Sequence, residues 1–127
     1  MFQAVTKNIK IEVEPSYVQD QSDPSQAYYF FSYRVRITNQ GSQTVQLISR
    51  HWVITDGFGQ VEEVVGPGVI GQQPTLKPSE SFEYTSFCPL ATPTGTMQGK
   101  YVMKAGKEAE MEVEIPLFIL CEPTHFH

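Results

Sequence analysis

The chain is short of the features that announce catalysis, metal storage or membrane insertion. It has two cysteines in 127 residues, Cys88 and Cys121, and no CxxC pair. So spaced, they make neither a disulfide framework nor a structural zinc site, and a reducing compartment keeps them as thiols. The longest apolar run, Leu117–Cys121, is five residues, against the ~20 that a membrane span needs. The opening MFQAVTKNIKIEVE has no apolar stretch of signal-peptide length. A cytoplasmic protein without membrane insertion is expected. GxSxG, HExxH and P-loop motifs are all missing, so no catalytic residue, no cofactor and no enzyme activity are predicted. Charged residues make up 18%, with a net charge of −5. An acidic surface repels phosphate backbones, so nucleic acid is not an expected partner.

What is present is an ordinary globular balance, 40% hydrophobic, at a length typical of one domain. A single domain over 1–127 is expected, with a core over about residues 5–120 and a fraying tail over 121–127. Nine glycines and nine prolines punctuate it. The longest stretch free of both, Ser25 to Gln40, is aromatic and β-branched and reads as strand. Its alternation puts Tyr29, Phe31, Tyr33, Val35 and Ile37 on one face, and Ser32, Arg34, Arg36 and Thr38 on the other. Ile9, Ile11 and Val13 alternate in the same way. Further strands are predicted over Thr44–Thr55, Gln60–Val65, Ser81–Phe87, Met97–Lys104 and Glu108–Ile115. Asp56-Gly57 marks the hairpin turn between the first two of these. In the last hairpin, Tyr101 opposite Met111 keeps both apolar sets inward and sets Lys100 opposite Glu112. Short strands with frequent turns and no helical period predict an all-β, immunoglobulin-like sandwich of two antiparallel sheets. Trp52 without a disulfide points to its fibronectin type III-like variant.

Three constellations deserve a chemical reading. Gly66-Pro67-Gly68-Val69-Ile70-Gly71 matches GxGxxG in letters. That motif binds dinucleotides where it joins a strand to a helix. Here Pro74 and Pro78 follow and forbid the helix. A looped anion site for a nucleotide or pyrophosphate, backed by Arg50 or Lys77, is the alternative to a glycine-rich crossover. His51-Trp52 with Asp56 beyond is the second group, and period two sends His51 and Trp52 to opposite faces. The third is Cys121, His125 and His127 near the C-terminus, ligand types suited to a weak divalent-metal contact.

Four segments together resemble one family. HWVITDGFG, GPGVIGQQPTLKPSESFEYTS, TPTGTMQGKYVM and IPLFIL are similar to the bacterial ApaG (CorD) family, over about Val5 to Leu120. The resemblance implies a fibronectin type III-like sandwich with no established enzymatic activity. It also implies an association with cobalt resistance and magnesium efflux, and a protein-binding role like that of related domains in eukaryotic F-box proteins. The family's signature positions fall here on His51, Trp52, Ile54, Thr55, Asp56, Gly66, Gly68, Gly71, Pro74, Phe82, Tyr84, Met97, Gly99 and Tyr101. Pro78-Ser79-Glu80 stands where the family commonly has Pro-Gly-Glu. The resulting expectation is a non-catalytic module for a protein partner. Its recognition surface is placed at the glycine loop and the Asp56 turn.

Overall fold

Period-two alternation of apolar residues becomes two packed sheets in a computed structural model that describes residues 1–125. The strands are β1 (Phe2–Thr6), β2 (Ile9–Tyr17), β3 (Tyr29–Asn39), β4 (Val45–Asp56) and β5 (Val61–Pro67). They continue with β6 (Thr75–Leu76), β7 (Ser81–Leu90), β8 (Thr94–Lys104) and β9 (Glu110–Cys121). Helical structure among the described residues is limited to three-residue 3₁₀ turns, and no described helix is long and apolar enough to cross a membrane.

One sheet has the order β1-β2-β3-β7, the other β5-β4-β8-β9, with β6 beside the start of β4. All pairings are antiparallel. The chain crosses between layers after β3, after β6 and after β7, as a fibronectin type III-like sandwich requires. The inner faces share one core, which includes Ile11, Val13, Phe31, Val35, Ile37, Leu47, Trp52, Tyr101, Met103, Val113 and Phe118. Each such side chain contributes roughly 1.5–3 kcal/mol of burial.

Two β-bulges set which residues face that core. In β4, Val45 and Leu47 point inward, and an extra residue between Leu47 and Ser49 in the pairing with β8 shifts the phase. From there Trp52 is the inward residue, 2% exposed. In β9, Val113 and Ile115 are buried, then Phe118 and Leu120. The shift falls at Pro116-Leu117, opposite Met97 to Gly99. Proline lacks the N–H that a regular ladder uses, so a bulge on an edge strand accommodates it.

The last hairpin differs from expectation by two residues. Tyr101 pairs with Val113, and Met103 with Met111. The loop runs from Ala105 to Ala109, because β9 starts at Glu110 and not at Glu108. A shift of two preserves the faces, so Tyr101 and Met111 still point inward. Lys100 stands opposite Glu114 but reaches diagonally to Glu112 at 2.5 Å. That contact holds the Glu112 carboxyl below its usual range, first through the hydrogen bond and then through the ammonium charge.

Candidate functional site

β4 is central to its sheet, and Arg50, His51, Trp52, Asp56 and Gly66 lie on it or on β5 beside it. The phase shift in β4 decides their directions. Trp52 is turned into the core, edge-on to Tyr33 at 5.3 Å, Tyr101 at 6.3 Å and Phe118 at 5.9 Å. It is a packing residue and offers nothing to a partner. His51 points the other way, half-buried on the outer face, with Nε2 2.9 Å from Glu63 Oε1. It lines an open groove of 350 Å³ with Val53, Gln98, Lys100, Glu114 and Leu117.

Arg50 pairs with Tyr101 and Gly66, so its side chain leaves β4 on the inner face. The guanidinium crosses Gly66, where an added Cβ would stand 3.1 Å from its nitrogens. Its Nη1 then donates to the carbonyls of Pro67 and Gly68, each at 2.9 Å. It clamps the glycine loop to the sheet from below.

The rest of the loop is equally occupied. Gly68 N–H donates to Ile48 O at 2.9 Å, and Val69 and Gln72 exchange bonds of 2.8 and 2.9 Å. Gly68 has φ +59°, and a Cβ there would stand 2.2 Å from Gln72 O. The glycine spacing is thus accounted for by a guanidinium passing over Gly66 and a tight turn at Gly68. No helix follows, since the chain runs on into β6. Three of the N–H groups that an anion nest would use are already donating to carbonyls. Lys77 sits apart, in a turn where its N–H meets Glu80 Oε1 at 2.7 Å. The structure does not bring it together with Arg50 around a common centre.

Asp56 organises the β4–β5 turn. Its Oδ1 accepts from Phe58 N–H at 2.8 Å and Gln60 N–H at 3.0 Å, an aspartate bracing its own loop. Cys121 is half-buried and donates to Glu122 O at 3.4 Å. His125 ends the chain's last 3₁₀ turn, and His127 lies outside the described residues. Among the described residues no three His, Cys, Asp or Glu side chains gather where a metal ion could sit. The Cys88 thiol is buried, and burial, with Glu62 nearby, pushes its pKa up to about 11, which disfavours the nucleophilic thiolate.

Sequence reasoning missed a set of exposed apolar side chains along this hairpin. Phe58 is 80% exposed, Val61 62%, Val65 73% and Ile70 54%. Their signal was the run Val61-Glu62-Glu63-Val64-Val65 itself, which does not alternate. On the inner face only Val64 packs against the core, and Glu62 beside it is exposed, so the strand does not show the alternation of one with a dry face.

The ApaG domain profile matches residues 19–105. The chain belongs to the ApaG family. It is 50% identical over 123 residues to Protein ApaG of Mesorhizobium japonicum, covering 97% of this chain and 95% of that one. It is 54% identical over 120 residues to Protein ApaG of Bordetella pertussis, covering 94% and 92%. A crystal structure of a Bordetella pertussis protein named ApaA superposes with a TM-score of 0.88 at 56% identity, over 91% of this chain and 94% of that one. Three strands of this ApaG domain lie beyond the profile match, β1 and β2 before residue 19 and β9 after residue 105, and β1 and β9 each form one edge of their sheets.

Proposed function

We propose that this ApaG domain is a non-catalytic protein-interaction module of the cytoplasm, and that the β4–β5 hairpin with its two flanking loops is its contact surface. The observation that carries the reading is the apolar row of Phe58, Val61, Val65 and Ile70, all more than half exposed. Val61 and Val65 share the outer face of β5 on either side of Glu63, and large apolar side chains left in water along one element mark an interaction surface. The two loops are braced by Asp56 and Arg50, so the row is presented on a rigid element. Against catalysis stands the buried Cys88 thiol, its pKa pushed up to about 11. In the setting of cobalt resistance and magnesium efflux that the family resemblance implies, the domain acts through a partner and does not hold the cation itself.

The test is affinity capture from the native cell, with and without cobalt stress, comparing the intact protein with a Val61→Asp/Val65→Asp variant of unchanged melting temperature. A partner recovered by the intact protein and lost with the variant is expected. A partner equally retained by the variant would contradict the assignment of this surface.

A further inference from the structure

The β5 strand forms one edge of its sheet. Its pairing with β4 is regular from Thr55↔Val61 to Ser49↔Pro67. Asp56 N–H bonds to Gln60 O at one end, and Gly68 N–H to Ile48 O at the other. In an antiparallel ladder, bonded and non-bonded pairs alternate. Glu62, Val64 and Gly66 therefore turn their N–H and C=O groups toward β4, and Val61, Glu63 and Val65 turn theirs outward. Among the described residues nothing pairs with those outward groups. The Pro67 carbonyl, next along the same edge, is taken by Arg50. The open edge thus presents the outward groups of three alternate residues, Val61, Glu63 and Val65, and is closed at its Pro67 end.

We infer, resting on the interaction-module reading above, that this edge accepts an extended segment of a basic protein partner as an added strand. Strand addition takes its affinity from main-chain bonds and its specificity from alternate side chains. The alternate side chains here are Val61, Glu63 and Val65, which share the outer face with His51. The complementary segment carries Lys or Arg opposite Glu63, with apolar residues two positions to either side. Charge decides the occupant. The hairpin bears Asp56, Glu62 and Glu63 and no Lys or Arg from Val61 to Pro67, in a chain of net charge −5. A second copy paired about a two-fold axis would set Glu63 against Glu63, and like charges directly opposite are destabilising. The glutamates thus guard against self-pairing, as natural edges do, while leaving a basic strand welcome.

The experiment uses the full-length protein and a blocked, fluorescent nine-residue peptide. The peptide is rich in threonine, with lysine at its centre and valine two residues to either side. A control peptide has glutamate at the centre. The lysine peptide is expected to bind about tenfold more tightly, from one attraction gained and one repulsion avoided. Val65→Pro removes an outward N–H without touching a β4 bond, a change edge strands tolerate, and should abolish binding. Glu63→Lys should invert the preference between peptides, which keeps the inference testable if the proline variant misfolds. Equal binding of both peptides, binding undiminished in Val65→Pro, or no binding of either would overturn it. A cellular partner that is lost with Val61→Asp/Val65→Asp yet retained by Val65→Pro would leave the module reading standing and remove the added strand.

Discussion

The Nη1 of Arg50 lies 2.9 Å from the carbonyl oxygen of Gly68, so a positive charge first read as support for a bound anion is a clamp on backbone. Removing it strands the Gly68 carbonyl in a partly buried place and releases that of Pro67 to solvent. Arg50→Met is expected to cost about 1–3 kcal/mol, seen as a lower urea midpoint at unchanged slope. Arg50→Lys should recover only part, because an ammonium lacks the planar fork that lies across Gly66.

Two glycines of the same loop separate conformation from crowding. Gly68 and Gly71 have φ +59° and +77°, but a Cβ meets Gln72 O at 2.2 Å at the first and nothing within 4 Å at the second. Gly71→Ala should cost about 1–2 kcal/mol for its left-handed backbone alone. Gly68→Ala should cost at least twice as much in the same denaturation experiment, with no ligand present.

Ser79 stands at φ +75° in the turn where the resembled family commonly has glycine. Its N–H is bound to Asn39 O at 2.8 Å, so the conformation is held by the fold. Ser79→Gly relieves about 1–2 kcal/mol of strain and returns about 0.4–1 kcal/mol to unfolded-chain entropy. A small net stabilisation, a rise in melting temperature, is predicted.

Tyr84 and Tyr101 share a buried hydroxyl pair at 2.5 Å. Tyr84→Phe leaves the Tyr101 hydroxyl alone and should cost about 1–3 kcal/mol, while the double Phe variant recovers much of that. Burial raises the pKa of Tyr33, Tyr84 and Tyr101. The folded state therefore keeps protons that the unfolded state loses above pH ~10, and stability falls as pH rises through that point. Tyrosinate absorbance at high pH should show Tyr84 and Tyr101 ionising only with unfolding.

How far these features were legible in the sequence depends on their range. Alternation in Tyr29–Ile37 is local, and it gave the strand, its faces and the sandwich. Prolines after Gly71 were enough to discount a phosphate-binding helix. The bulge after Leu47 was not legible, because extra residues are absorbed by the pairing of two distant strands. It is that bulge which turns Arg50 inward with Trp52. Pro116 was the one local hint of its counterpart in β9. The β1 strand, in Phe2–Thr6, passed unread since its alternating face is only half-buried. The exposed edge of β5 could not be read as an edge until the sheet order was known.

The central claim is that the β4–β5 hairpin is a surface for a protein partner. A photo-crosslinking residue placed singly at Val65 and at Thr85, in the native cell, tests it directly. Both positions are exposed, and Thr85 lies on β7 in the other sheet. A discrete crosslinked partner from Val65 and none from Thr85 is predicted. No crosslink from Val65, or the same product from both positions, would contradict the account.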